Sequence, residues 1–428
     1  MKLENFLIKQ NSITATLGSF VASHCISDSL VFLCLGIGCK AQMPFHMGAH
    51  EFGNNYVSRM GWSEFNEDDF ISGDLSKIKS SIMGQLNRFN AGFFPIVISP
   101  MVKTIGMDLN LEKYALILEE ELGVKIRFVE LSGATSDFWE GYNEVIKAFA
   151  KTIDWNDCNI EKRSVNIWGY PFDRYEKEHF ANVEFLKNTL NKIGINVKAI
   201  FLSGTSTKEL EEARNAECNI ILPFASKMGN FLEKLTGKPS IYTELPIGLT
   251  QTEKWLKKIA ISLKTKKGYE KAIEISQKEI EKRQDNIEVF KKSFDGINTG
   301  LILDLPYIGP ISNLLQEVGF NIKFIIIRDR YYGGKPMAEK VLKFYGINQQ
   351  SIIVEEYPQR EELINLIQKN HIELVVGSSY DVTQLIQYTN TFTFGFPSTY
   401  THYKKEDSPF FGFKGYDNFL SLIKKKLN

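Results

Sequence analysis

The sequence has no excess of charge of either sign and no long apolar run. Lys and Arg together number 51, and so do Asp and Glu, which gives a formal net charge of zero. A balanced charge does not favour binding of the whole chain to nucleic acid or to a membrane surface. No apolar stretch reaches the ~18 residues of a membrane span. We therefore expect no nucleic-acid partner and no membrane partner.

Cysteine is scarce, with five residues in a chain of 428. The first residues, Met1–Asn5, include an acid and open no long apolar stretch, so they make a poor signal peptide. Without an export signal, so few cysteines do not indicate a disulfide framework. We expect a cytoplasmic protein whose cysteines are free thiols or metal ligands.

Two common nucleotide-binding motifs are also missing. No strand-to-helix turn carries the GxxxxGK[ST] pattern, and no strand is followed by GxGxxG. The chain is therefore predicted neither to hydrolyse ATP itself nor to hold a dinucleotide in the usual way.

What the sequence does contain is typical of a globular α/β protein. Short apolar runs rich in β-branched residues alternate with amphipathic segments, which favours parallel sheets covered by helices. The predicted strands are 30–35, 94–99, 126–130, 165–168, 197–202, 219–222, 301–305, 322–327, 351–354 and 372–376. The predicted helices are 75–90, 109–122, 175–192, 208–215, 308–318 and 361–368, with a capping box formed by Ser206 and Glu209.

Two breaks predict three Rossmann-like domains. The polar segment 155–159 is followed by a fresh strand, and the segment 252–294 is a nearly continuous helical pattern with no proline. We interpret this second segment as one long helix or a helix pair that ends at Asp295-Gly296. The predicted domains are residues 1–157, 158–296 and 297–428.

Residues 24–50 hold three of the five cysteines and three of the six histidines. Thiolate and imidazole are ligands of zinc and of iron–sulfur clusters, but the absence of CxxC makes the signal weak by itself. Cys25 lies on a predicted helix-to-strand connection, where we favour a structural role over a metal ligand. Cys39 follows a glycine turn at a strand's carboxyl end, so a ligand and a plain thiol are equally favoured. His46 and His50 are more simply surface residues than a zinc pair.

A series of short motifs, in order along nearly the whole chain, resembles the nitrogenase component 1 family. That family includes molybdenum-iron protein subunits, cofactor-assembly scaffold proteins and the dark-operative protochlorophyllide reductase. The motifs are Leu35-Gly36-Ile37-Gly38-Cys39, Glu67–Leu75, Ile96–Ser99 with Ile105–Asp108, Trp139-Glu140-Gly141-Tyr142 (which resembles a loop before a helix), Asn166–Gly169, Leu245–Gly248, Gly395–Pro397 and Gly415-Tyr416.

The resemblance implies three Rossmann-like domains and pairing of related subunits, usually as a heterotetramer. It also implies a separate ATP-dependent iron protein that delivers low-potential electrons. In the family, three cysteines per subunit typically hold an iron–sulfur cluster at the subunit interface. Cys39 matches the second of these, with Gly36 and Gly38 forming its turn. The first is expected near residues 13–18 and the third near 99–101, and this chain has no cysteine at either place.

One cysteine cannot hold a cubane cluster, which needs four ligands. The resemblance therefore implies a cluster shared with a cysteine-richer partner subunit, with Cys39 as a ligand and Cys25 as an off-pattern second candidate. A homodimer would bring only two copies of Cys39, so a distinct partner is favoured. We expect no large metallocofactor.

Three functions remain open at this point. The first is a subunit of an anaerobic nitrogenase-like reductase, an oxidoreductase with a shared or degenerate iron–sulfur site for electron transfer. The second is a non-catalytic structural or scaffold subunit that has no cluster. The third and most remote is a stand-alone protein that binds a sugar or nucleotide between its domains.

Aromatic residues cluster late in the chain, at Phe392, Phe394, Phe396, Tyr400, Tyr403, Phe410, Phe411 and Phe413. We favour a core or domain-interface role for them, with an apolar pocket for a flat substrate as the alternative. The segment 331–336 is interpreted as a flexible loop that could line the same pocket. Arg328 and Arg330 beside it are either solvated or carboxylate-binding residues.

Overall fold

The computed structural model describes residues 14–34, 59–62, 76–98, 111–132, 137–173, 176–356, 358–396 and 408–427. Three sheets follow one another along the chain. Every strand pair in the described ranges is parallel. Parallel strands need helical crossovers, and helices accordingly separate most of them. The predicted α/β class, with three Rossmann-like domains, is confirmed.

The first domain has the strand order β2-β1-β3-β4. All six residues of β3 are buried, as expected for a strand covered on both faces. The strands are β1 (Val31–Cys34), β2 (Met60–Trp62), β3 (Phe93–Ile98) and β4 (Lys125–Glu130), and the helices are α1 (Ala15–His24), α2 (Ser76–Leu86), α3 (Leu111–Leu122) and α4 (Phe138–Ala150).

Helices α1 and α4 cross at two glycines. A Cβ on Gly18 would lie 1.9 Å from the carbonyl oxygen of Phe138, and a Cβ on Gly141 would lie 1.8 Å from that of Ala15. Only glycine permits so close an approach of the two backbones. The segment Trp139–Tyr142, which the resemblance predicts to be a loop before a helix, lies inside α4 itself. That part of the sequence interpretation was wrong.

The second domain has the strand order β6-β5-β7-β8. Its strands are β5 (Glu161–Trp168), β6 (Asn196–Ile200), β7 (Ala216–Ile221) and β8 (Ser240–Tyr242), and its helices are α5 (Lys177–Lys192), α6 (Thr207–Glu211) and α7 (Gly229–Thr236). The capping box predicted for Ser206 and Glu209 is present at the start of α6.

Three helices follow instead of the predicted single helix or pair. They are α8 (Leu249–Ser262), α9 (Lys266–Glu281) and α10 (Gln284–Phe294). Lys264 adopts a positive φ of 52° after α8, and Thr265 then caps α9 by accepting the Gly268 N–H at 3.1 Å. A threonine N-cap stabilises the start of a new helix. The chain therefore turns at Lys264 and Thr265, although its composition favours helix on both sides.

The third domain has the strand order β11-β10-β9-β12-β13. Its strands are β9 (Asn298–Leu303), β10 (Asn321–Ile327), β11 (Ile353–Glu356), β12 (Leu374–Gly377) and β13 (Asn390–Thr393), and its helices are α11 (Leu305–Glu317), α12 (Gly334–Phe344), α13 (Arg360–Lys369), α14 (Ser379–Val382) and α15 (Gly412–Leu427). No helix within the described ranges is long and apolar enough to cross a membrane.

Candidate functional site

The predicted glycine turn lies outside the described residues. Gly36, Gly38 and Cys39 follow Cys34, the last residue of β1, which is 2% exposed. Their assignment as cofactor-binding and metal-binding residues therefore stays a prediction.

Cys25, the second candidate ligand, lies on the predicted helix-to-strand connection, directly after α1. Its side chain is fully buried. The thiol lies 3.0 Å from the carbonyl oxygen of Val21 and 2.8 Å from that of Phe172, and it donates toward both. The Tyr142 hydroxyl approaches the sulfur at 3.9 Å. Cys25 thus holds α1 against the loop that follows β5 in the second domain.

An aromatic cluster lies where the three domains meet. We call it the aromatic junction and define it as Trp139, Tyr142, Phe224, Tyr332 and Phe396. The Trp139 ring lies 4.3 Å from Phe224, 5.3 Å from Phe396, 5.6 Å from Tyr142 and 6.2 Å from Tyr332, measured between centroids. Each of the five side chains is at most 6% exposed.

The position of this junction matters because ligands of open α/β sheets usually bind beyond the carboxyl ends of strands. Phe224 follows β7, Tyr332 follows β10 and Phe396 follows β13. Trp139 lies at the start of α4, the helix that follows β4. Among the described residues, the chain's own aromatic rings therefore lie packed together at the edge where a ligand of this fold would be expected.

The late aromatic residues pack against one another. Phe394 lies 5.4 Å from Phe410 and 5.2 Å from Phe419, and Phe392 lies 5.2 Å from Phe419. The six described members of the late cluster are buried: Phe392, Phe394, Phe396, Phe410, Phe411 and Phe413. The core interpretation holds for these six residues, although Phe394, Phe410 and Phe411 also line a small cavity. Tyr400 and Tyr403 lie outside the described residues.

Arg328 pairs with carboxylates of its own chain. Its Nε lies 2.7 Å from Asp381 Oδ2, and one terminal nitrogen lies 3.3 Å from Asp304 Oδ2 and 3.1 Å from the Phe396 carbonyl oxygen. The side chain is 8% exposed, so the solvated interpretation was wrong for Arg328. Burial raises the pKa of Asp304, and the guanidinium opposes that rise.

Asp137 ties the first domain to the third. The Trp139 side chain, like the guanidinium, opposes the rise in the pKa of Asp304. Asp137 caps α4 through Oδ1, and its Oδ2 accepts the backbone N–H groups of Arg330 and Tyr331 at 2.9 and 2.7 Å.

The segment 331–336 is not the loop predicted from the sequence. Gly333, with a φ of 109°, is the N-cap of α12, which begins at Gly334. The Tyr332 side chain is 6% exposed, and its hydroxyl donates to the carbonyl oxygen of Phe224 at 2.8 Å. Tyr332 therefore belongs to the aromatic junction, and residues 334–336 form the start of α12.

A family model described as "Nitrogenase component 1 type Oxidoreductase" matches residues 14–428. The chain belongs to this family. Oxidoreductase is therefore the class of protein to which the chain is assigned.

Solved structures of this family share the fold at low sequence identity. A structure titled "Nitrogenase Cp1 at pH 6.5" matches with a TM-score of 0.79 and 17% identity, covering 97% of this chain and 92% of that chain. "Nitrogenase Cp1 at pH 5" matches with a TM-score of 0.74 and 18% identity, covering 97% and 88%. Comparison with curated protein sequences gives no significant match.

The described residues do not supply the donor set of a family iron–sulfur cluster. In the ranges that the structure describes, no group of three or more His, Cys, Asp and Glu side chains could hold a metal ion. Cluster ligands are thiolates. A Cys25 thiolate would have no proton to donate and would face the carbonyl oxygens of Val21 and Phe172 in a buried site.

Sequence reasoning missed a polar cavity between the second and third domains. The cavity is about 20 Å³ in volume and includes Glu178, His179, Tyr170 and Tyr307 in its lining. Burial raises the pKa of Glu178 to about 8 and lowers the pKa of His179 to about 3. The signal in the sequence was the adjacent pair Glu178-His179 near the start of a predicted helix.

Proposed function

We propose that this chain is one subunit of a nitrogenase-like reductase complex whose reducing centre lies in a related, cysteine-richer subunit. Electrons arrive from an ATP-dependent iron protein. Two copies of this chain and two copies of the related subunit form a heterotetramer. Family membership supports the complex. The aromatic junction is the observation that supports placing the reducing centre in the other subunit.

The argument from the junction is steric. A substrate or large metallocofactor needs a crevice, and pockets for ligands of drug size occupy roughly 300–1,000 Å³. The crevice beyond the strands of this chain holds five packed rings, and the neighbouring cavity measures about 20 Å³. A subunit built in this way stabilises the complex and presents a surface to its partner, and the reduction takes place elsewhere.

Within this complex, Cys39 contributes one ligand to an iron–sulfur cluster at the interface, and the partner supplies the others. The family motif implies that Gly36 and Gly38 form the turn that leads to Cys39. Cys25 is the weaker candidate, since its use would require its thiol to leave the carbonyl oxygens of Val21 and Phe172.

The test is the iron and acid-labile sulfide content after anaerobic purification, for the chain alone and co-expressed with its cysteine-richer paralogue. We expect iron only in the complex. Cys39→Ala should lower the iron content of an intact complex, whereas Cys158→Ala, which removes an exposed cysteine, should leave it unchanged. An iron content that Cys39→Ala leaves unchanged would contradict the shared cluster.

The second candidate is a scaffold subunit without a cluster. It is favoured by the hydrogen-bonded thiol of Cys25 and by the absence of cysteine at residues 13–18 and 99–101. A stable complex that contains no iron would support this candidate and reject the first.

A further inference from the structure

The small cavity between the second and third domains lies at the carboxyl ends of three parallel strands. Tyr170 follows β5, Tyr307 lies in the first turn of α11 after β9, and Gly395 follows β13. This is the edge at which α/β sheets usually bind ligands. The cavity lies beside the aromatic junction: His179 stacks on Phe396 at 5.5 Å and Tyr307 lies 5.0 Å from Phe224, measured between ring centroids.

Glu178 provides an unpaired oxygen at this cavity. Its side chain lines the cavity and is 5% exposed. Its Oε2 has no hydrogen-bond partner among the described residues. Its Oε1 lies 3.7 Å from His179 Nε2. The Nδ1 of His179 accepts the Asp173 N–H at 2.6 Å, so the neutral ring carries its proton on Nε2.

Buried carboxyl oxygens normally have a hydrogen-bond partner. The Oε2 of Glu178 has none among the described residues, so a bound ligand is expected to supply one. A volume of about 20 Å³ admits one body about the size of a water molecule. No Lys or Arg is among the described residues that line it. The lining instead offers the hydroxyl groups of tyrosines and a threonine and the aromatic rings of Phe394 and Phe410, which favour a cation over an anion.

We propose that this cavity binds one monovalent cation of about the size of water, of the potassium or ammonium class, with Glu178 as its counter-charge. A divalent metal is not expected, because Mg²⁺ and Ca²⁺ need about six or more oxygen ligands and the lining includes one carboxylate. An anion would meet Glu178 with no basic side chain in the lining to balance it.

Cation binding at this site releases a proton. Burial and, less strongly, the nearby charge of Asp173 raise the pKa of Glu178 to about 8, so it is protonated at neutral pH, although the neighbouring buried Glu176 opposes the rise. His179 on the same helix and the hydroxyls of Tyr170 and Tyr307 are the other titratable groups of the lining. The cation takes the place of the carboxyl proton, so one proton leaves for each cation bound. Affinity should therefore rise about tenfold per pH unit below the pKa of Glu178.

The experiment uses the full chain at constant ionic strength. Choline chloride, whose cation is too large for the cavity, is replaced stepwise by KCl or NH4Cl at pH 6, 7 and 8. We expect a saturable rise in the unfolding temperature with at least one of the small cations, a midpoint about tenfold lower at pH 7 than at pH 6, and release of about one proton per chain.

Two variants localise the effect. Glu178→Gln should abolish both the stabilisation and the proton release, whereas Glu184→Gln, which changes an exposed carboxylate on the same helix, should retain them. If Glu178→Gln does not fold, the pH dependence and proton release of the wild-type chain decide the question. Equal behaviour in choline, potassium and ammonium would overturn the proposal, as would an unchanged response of Glu178→Gln.

Discussion

Truncation of Trp139 should strongly destabilise the whole chain. Its side chain is 1% exposed and lies against rings of all three domains. Replacing a buried Trp with Ala typically costs about 3–5 kcal/mol, from lost transfer free energy and the cavity left behind. Trp139→Phe should cost less, since it keeps a ring in the junction.

The assay is urea unfolding followed by circular dichroism, with Trp62→Ala as the control. Trp62 is 51% exposed on β2, so its removal should cost less than about 1 kcal/mol. Since Trp139 contacts three domains, its loss should lower the midpoint of every transition that is resolved. A loss of stability for Trp139→Ala no larger than that of Trp62→Ala would refute the interpretation of the junction as a packed centre.

Further predictions concern charge, pH, packing and thiol exposure. Arg328→Met leaves the buried Asp304 and the partly buried Asp381 without their counter-charge and should cost about 3–5 kcal/mol at pH 8, but less at pH 5, in urea titrations. The raised pKa of Glu178 means that its contribution to stability is complete below about pH 4.5 and is lost as the pH rises through about 8, so Glu178→Gln should flatten that part of the pH–stability curve. Gly141→Ala should disrupt the crossing of α1 and α4 and lower the thermal unfolding temperature more than Gly84→Ala, where a Cβ meets open space. Among the described cysteines, iodoacetamide should label only Cys158 before unfolding, as read by peptide mass spectrometry.

The regular part of the fold could be predicted from the sequence because its signal is local. The run Phe324–Ile327 is apolar on both pleat faces, and it forms most of the buried end of β10. Ser206 and Glu209 predicted a helix start from spacing alone, and the capping box is present. The boundaries of the three domains stay predictions at residues 157 and 296.

Short edge strands and helix breaks were harder to predict. The strands β2 and β8 have three residues each, too few for a period of two to be recognised. The break at Lys264 depends on one backbone angle and one threonine cap within a sequence that favours helix on both sides. The high average helix propensity of this segment therefore concealed the turns that separate α8, α9 and α10.

The aromatic junction could not be predicted because its members are far apart in the sequence. Trp139, Phe224, Tyr332 and Phe396 come together only when three sheets present their carboxyl ends to one another. Arg328 shows the same limit, since its charged partner Asp381 follows a strand that is distant in sequence. Sequence patterns identify which residues are apolar or charged, and tertiary contacts decide whether they line a pocket or fill it.

The most direct test of the central claim is native mass spectrometry of the anaerobically co-purified complex. We expect two copies of this chain and two copies of a cysteine-richer subunit, with added mass for iron and sulfide that is lost when the subunits separate. An iron–sulfur cluster or large cofactor that stays with this chain in the absence of the second subunit would contradict the account.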